Sequence, residues 1–172
     1  MVKQNASLDA SFWINAYDAD LIRFLLDYFR LFVCRSVAGE IRYQLDVLGI
    51  KEAACPSLFV EWCKSGIITL EDPRKPVNWY QAGENAAIAL AIERGYFLLI
   101  DDANPYHFAK AQSLKVVGTA DLAVFLYDQG RLTLAETTAA INALRSSRKQ
   151  KRDAMTALGI MARERGDRYD AF

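Results

Sequence analysis

Tyr96-Phe97-Leu98-Leu99-Ile100-Asp101-Asp102 is an unbroken apolar run closed by two acids. With no polar alternation, residues 96–100 predict a strand covered on both faces, as in a parallel sheet between helices. Working outward, Gly83 opens a predicted helix over 84–94, and Gly95 stops it. Its Ala, Ile and Leu residues occupy nearly every face, so it belongs in the interior. Downstream, Asn104-Pro105 offers an N-cap and a proline at the first helical position. Residues 115–117 predict a last strand. Gly118-Thr119 starts a helix to about 127, with Thr119 read as its N-cap, and two further helices follow over about 133–144 and 148–165. Upstream, a brief strand over 6–8 ends at Asp9, and helical patterning runs from 11 to 29 with a break near Asp18. A strand over 31–34 comes next, and Ser36 reads as the N-cap of a helix to about 48. Residues 49–66 are mixed, with a short helix after Pro56. Residues 67–70 predict an edge strand, and 71–82, with Pro73 and Pro76, an exposed loop. Short apolar runs alternating with helices imply a parallel sheet flanked by helices.

The chain has 172 residues, enough for one full core and little for a second domain. Hydrophobic residues are 52% and charged residues 24%, the proportions of a soluble globular protein. Lys+Arg and Asp+Glu number 21 each, so attraction to nucleic acid must be local rather than global. The short polar stretch 1–7 predicts no signal peptide, and no apolar run approaches the roughly 20 residues that span a bilayer. Cys34, Cys55 and Cys63 are odd in number and lack C-x-x-C spacing, which predicts reduced thiols and a cytoplasmic location. With His107 as the single histidine, zinc sites built on several histidines are excluded.

Four acids stand where solvated surface charge is a strained explanation. Asp9 and Asp102 lie just past strands, Glu84 is in the first turn of the most apolar helix, and Glu40 is at the start of another. In open parallel sheets the strands end, and the following helices begin, at one edge where ligands gather. The four acids are therefore predicted at the same end of the molecule. Two unit charges about 4 Å apart repel by about 4 kcal/mol at an effective dielectric near 20. Either some of the acids hold protons or a divalent cation neutralises them. An all-oxygen donor set suits Mg²⁺ or Mn²⁺, and the matching chemistry is phosphodiester hydrolysis. The competing reading is helix-capping acids spread along the surface.

Several blocks resemble the PIN-domain family, and within it the VapC-like branch of nucleic-acid-binding proteins. They are Leu8-Asp9-Ala10-Ser11, Val37-Ala38-Gly39-Glu40-Ile41 and Gly83-Glu84-Asn85-Ala86-Ala87-Ile88-Ala89-Leu90-Ala91. Leu98-Leu99-Ile100-Asp101-Asp102, Ala109 and Val116-Val117-Gly118-Thr119 follow in the same order. The resemblance covers about 8–132. Two departures stand out: Glu84 occupies a position that most of the family fills with aspartate, and Ile100 one where many carry threonine or serine. The resemblance implies Asp9, Glu40, Glu84 and Asp102 as catalytic metal ligands, directly or through water. Ser11 would hold a ligand water, and Asp101 is a substitute ligand. Adjacent on an extended strand, Asp101 and Asp102 cannot aim the same way; Asp102 is favoured for the metal and Asp101 for capping the next helix.

Elsewhere the bland readings compete with functional ones. His107 sits near the proposed site, with a surface or packing role favoured over contact with phosphate. Trp79 and Tyr80 could stack on splayed bases, although packing over the core edge is favoured. Arg74 and Lys75 read as a solvated loop. Five basic residues in 145–152 form either an RNA-contacting patch or, as favoured, a wet linker between helices. Leu21, Ile22, Leu25, Leu26 and Phe29 repeat at helical spacing, as core or as part of a homodimer face.

The whole reading is a three-layer α/β/α fold with a central parallel sheet of order 3-2-1-4-5. A PIN-like nuclease domain over 1–132 carries a helical extension, 133–172, packed on it. The leading function is a Mg²⁺- or Mn²⁺-dependent endoribonuclease, with the toxin half of a toxin–antitoxin pair as one role. RNA substrate, an antitoxin protein and a homodimer partner go with it. The alternatives are a catalytically weak or inactive PIN-fold module that binds RNA or protein, and a phosphohydrolase of small phosphate esters. The latter would show a glycine-rich phosphate cradle, which is missing from the sequence.

Overall fold

The computed structural model describes residues 2–47 and 54–167. Its centre is a five-stranded sheet of order β3-β2-β1-β4-β5. The strands are β1 (Gln4–Leu8), β2 (Phe29–Val33), β3 (Ile68–Leu70), β4 (Phe97–Leu99) and β5 (Val116–Val117). Every pairing is parallel. The register places Ala6 beside both Leu31 and Phe97. Ala6, Ser7 and Leu8 are all fully buried, although successive side chains point to opposite faces, so helices cover both sides. The fold is the three-layer α/β/α arrangement with the expected strand order.

The first helical stretch is split into α1 (Ala10–Asp18) and α2 (Ile22–Tyr28). The break falls at Asp20, whose backbone has a left-handed φ of 55°. After β2 comes α3 (Arg35–Val47), which starts one residue before Ser36. Its entry is secured from the loop after β3, where Asp72 accepts from the Arg35 N–H at 2.8 Å. The expected end of this helix at 48, and 49–53, lie outside the described residues. The helix α4 (Ala54–Lys64) carries Pro56 in its first turn rather than beginning after it.

The apolar helix α5 (Ala82–Arg94) ends at Gly95, whose φ of 66° suits a residue without a Cβ. The helix α6 (Ala103–Ala111) begins earlier than Asn104-Pro105 suggested, because Asp102 occupies the N-cap position. Pro105 still lies in the first turn, where its missing N–H costs no helical bond. Gly118, not Thr119, is the N-cap of α7 (Thr119–Asp128). The chain closes with α8 (Leu134–Ala143) and α9 (Arg148–Arg165), both in contact with α7. Residues 148–152 are thus the opening of a helix, not a linker. Ser147 caps it through the S-x-x-Q box, accepting from the Gln150 N–H at 3.2 Å.

Leu21, Ile22, Leu25 and Phe29 are buried and Leu26 is half-buried, so most of the stripe they form packs in the core. No helix among the described residues is long and apolar enough to cross a membrane. Cys34, Cys55 and Cys63 are free thiols.

Trp13 of α1 joins the layers. It is fully buried and meets Phe59 and Trp62 of α4 edge-on, with ring centroids 5.2 and 5.4 Å away. Truncating a large buried ring costs about 3–5 kcal/mol. Trp13→Ala is expected to lower unfolding stability by that amount in a urea titration. A loss no larger than that of an exposed-site change would show that α4 does not dock as described.

Candidate metal centre

Each predicted acid is placed by the end of a strand or the start of a helix. Asp9 follows β1 directly and caps α1, its Oδ2 accepting from the Ser11 N–H at 2.9 Å and the Ser11 hydroxyl at 2.6 Å. The residue is only 2% exposed, and its other oxygen, Oδ1, is buried without a hydrogen-bond partner among the described residues. A buried carboxylate oxygen with no donor is costly unless protonated or neutralised by a cation. Burial, opposed by the two Ser11 bonds and reinforced by Asp102 and Glu40, pushes the Asp9 carboxyl up to about 7.

Glu40, on α3, leans against the start of α5 and accepts from the Gly83 N–H at 3.1 Å. Gly83 is required for this contact, because a Cβ there would stand 2.5 Å from both Glu40 carboxylate oxygens. Glu84, one residue later, reaches back to the Gln81 N–H at 3.0 Å. The longer arm of glutamate, noted as a departure from the family pattern, is thus used for the helix cap. Burial raises the carboxyls of both glutamates, and Asp102 adds its repulsion to each. Glu84 is also within hydrogen-bonding reach of Asp102, which raises the Glu84 carboxyl further. Asp102 is exposed at the N-cap position of α6, and its side chain makes no capping bond.

Asp9, Glu40 and Asp102 therefore lie within electrostatic reach of one another at the carboxyl edge of the sheet, and Glu84 within reach of Asp102 and Glu40. They are gathered loosely. Among the described residues, no three His, Cys, Asp or Glu side chains stand close enough to hold an ion as they lie. The physical reason is in the hydrogen bonds: like charges repel, and the N-terminus of α5 offers both glutamates N–H donors at its positive end. An all-oxygen set with one orphaned buried oxygen and a glycine cradle fits a hard divalent cation.

Asp101 belongs to a different set. It is 4% exposed; Oδ1 accepts from the Thr119 N–H at 2.7 Å, and Oδ2 accepts from Asn15 Nδ2 at 2.7 Å and from the Thr119 hydroxyl. Asp101 does tie down a helix start, but that of α7 rather than the following α6. Thr119 serves it as a donor, and Ser11 links the two sets by accepting from the Asp101 N–H at 3.0 Å. Asn15 was missed in the sequence, where a lone amide in the apolar helix 10–18 was the available signal. Gln150, whose Nε2 donates to the Asp101 carbonyl at 3.0 Å, was missed too, although its capping-box spacing from Ser147 is visible.

The remaining candidates surround these groups. Trp79 is 50% exposed and leans on Phe108 of α6 with centroids 4.9 Å apart, and Tyr80 meets the same ring at 5.8 Å. Asn85 Oδ1 pins both, accepting from the Trp79 and Tyr80 N–H groups at 2.8 and 2.7 Å. The loop is held to α5 also by Glu93, which accepts from the Arg74 and Lys75 N–H groups. His107 stacks edge-on against Tyr106 and lines a cavity of about 470 Å³ with Asp101, Lys149 and Gln150. None of the four clustered acids lines that cavity.

The raised Asp9 carboxyl makes metal-free stability depend on pH. An unfolded aspartate ionises near 3.8, whereas folded Asp9 holds its proton to about 7. Between these values the folded state binds more protons, so stability falls as pH rises, by at most about 1.4 kcal/mol per pH unit, and levels off above 7. In chelator-treated protein, Asp9→Asn is expected to flatten this slope and raise the melting temperature at pH 8. A variant that melts lower at pH 8, with the slope retained, would contradict it.

Comparison with curated proteins gives no match, and neither does comparison with solved structures. A family model described as a PIN domain matches residues 8–154, a span that includes the four clustered acids, the end of β1, all of β2 to β5 and the start of α9. PIN domains are typically nucleases and generally use divalent metals, which supports nuclease activity and a nucleic-acid substrate in general terms. On a match that spans most of its length, this chain belongs to the PIN-domain family.

Proposed function

We propose that the protein is a Mg²⁺- or Mn²⁺-dependent endoribonuclease whose ion is held by Asp9, Glu40, Glu84 and Asp102. The observation that carries this reading is the buried, unpartnered Oδ1 of Asp9 beside two other acids, Asp102 and Glu40. A divalent ion there would supply Lewis acidity and offset charge developing on a phosphodiester. The chain's own contribution is positional. Ser11 fixes the Asp9 carboxylate from its other oxygen, and Asp102 presents an exposed one that makes no capping bond. Glu40 and Glu84 complete the set by giving up Gly83 and Gln81. Asp101 then serves as an anchor rather than a ligand. Arg148 and Lys149, exposed and without ion pairs among the described residues, supply local positive charge for the RNA backbone. A cytoplasmic toxin with a protein antitoxin, a homodimer, and a division into a nuclease domain (1–132) and a helical extension (133–172) are further parts of this proposal.

One observation favours a second reading, a PIN-fold binding module with weak or no catalysis. The four acids lie too loosely to grip an ion without rearrangement. The two readings differ in what Mn²⁺ does. On the nuclease reading, Mn²⁺ or Mg²⁺ raises the melting temperature by mass action and Zn²⁺ is not required. RNA is then cut by wild type with Mn²⁺, but not with chelator or by Asp102→Asn. Absence of both the thermal shift and the cleavage would favour the binding module.

The basic turn of α9 gives an independent check. Neutralising Arg148, Lys149, Lys151 and Arg152 together is expected to weaken RNA binding and flatten its salt dependence, each lost phosphate contact removing about 0.7 from the slope for a single strand. An unchanged slope would remove this turn from the interface.

A further inference from the structure

We infer that Gln150 is a positioning residue for the acid cluster, with Asn15 as its partner on the opposite side of Asp101. The inference rests on the reading of the four acids as an ion site. Every polar group of residue 101 is bonded to something outside its own strand. Its N–H donates to the Ser11 hydroxyl, its carbonyl accepts from Gln150 Nε2, and its carboxylate accepts from Thr119 and Asn15. Residue 101 therefore has no freedom to rotate about either flanking peptide. The next residue is Asp102, whose carboxylate is exposed and held by no capping bond of its own. The peptide plane between 101 and 102 places the Cα from which that carboxylate extends, and Gln150 holds the oxygen of that plane.

Gln150 is suited to this by using both ends of its amide. Its Oε1 accepts from the Ser147 N–H at 3.1 Å and hydroxyl at 2.7 Å, closing the start of α9, while Nε2 reaches Asp101. Asn15 is built the same way. Its Nδ2 donates to Asp101 Oδ2, and its Oδ1 accepts from the Arg145 N–H at 3.0 Å, in the segment between α8 and α9. Gln150 is 7% exposed and Asn15 5%. Two buried amides thus tie both sides of the α8–α9 junction to the residue before Asp102. A helix pair that lies outside the sheet becomes part of the frame that aims an acid. Removing Gln150 would leave the fold's core in place and let the 101–102 peptide turn.

The test separates aiming from helix capping. Gln150→Met keeps the side-chain length while removing both amide functions, and Ser147→Ala removes the hydroxyl contacts of the cap but leaves the Ser147 N–H on Gln150 Oε1 and the Gln150 bond to Asp101. Mn²⁺ binding to the folded full chain is measured by calorimetry for wild type and both variants. Residues that orient metal ligands typically cost 10–100-fold in affinity, so Gln150→Met is expected to weaken Mn²⁺ by about that factor. Ser147→Ala should lower the melting temperature and leave Mn²⁺ affinity unchanged. With an RNA oligonucleotide, the Gln150→Met loss should fall on kcat and spare KM. If Gln150→Met does not fold, Asn15→Ala is put through the same comparison. Wild-type Mn²⁺ affinity in the amide variant, or an equal loss in Ser147→Ala, would overturn the inference alone. No Mn²⁺ binding by wild type would overturn the ion-site reading and this inference with it.

Discussion

A carboxylate is buried at the end of the central strand with one oxygen bonded and the other bare. Asp9 cannot sit there as an anion without help, since burial and two neighbouring acids all favour its protonated form. The fold does not relieve this: Ser11 satisfies Oδ2, and among the described residues no donor approaches Oδ1. A residue chosen for stability alone would be an amide or an apolar side chain. The retained charge is an energetic cost that a cation would remove, and the rest of the site is arranged around it.

The parallel sheet explains why distant residues share this place. Strands β1 and β4 are neighbours in register and both end at the same edge, which brings Asp9 and Asp102 together across more than ninety positions of sequence. The third and fourth acids arrive with α3 and α5, and both are bonded to N–H groups at the start of α5. That helix start occupies one carboxylate oxygen of each glutamate. The cluster is in this sense poised rather than formed. Asp101, by contrast, is fully bonded, and it converts the ends of α1, α7 and α9 into a rigid backing for its neighbour.

Much of this could be read from the chain alone, and the limits have physical causes. The apolar run 96–100 and the apolar helix behind Gly83 announce burial directly, so the layers, the strand order and the common edge for the four acids were legible. Local capping was less so. Asn104-Pro105 carries a strong signal, yet Asp102 begins α6, because a helix can start wherever the preceding strand releases the chain. Ser36 lost its place as cap to Asp72, an acid from a loop 36 residues away in sequence that pattern reading cannot bring near. That Asp101 ties down a helix start could be read, but not which one, since the helix that it secures is identified only by the packing of β5 beside β4. Asn15 and Gln150 are amides whose importance lies wholly in what they touch. The looseness of the cluster was invisible too, because it depends on glutamate rotamers and not on where the chain runs.

The central claim is that four acids distant in sequence form one cation site. Anomalous scattering from crystals grown with Mn²⁺ tests it most directly. The account predicts an anomalous peak in contact with Asp9 Oδ1 and Asp102, with the Glu40 and Glu84 side chains turned away from Gly83 and Gln81 toward it. Mn²⁺-containing crystals with no peak at this edge of the sheet, and both glutamates still bonded to the start of α5, would contradict it.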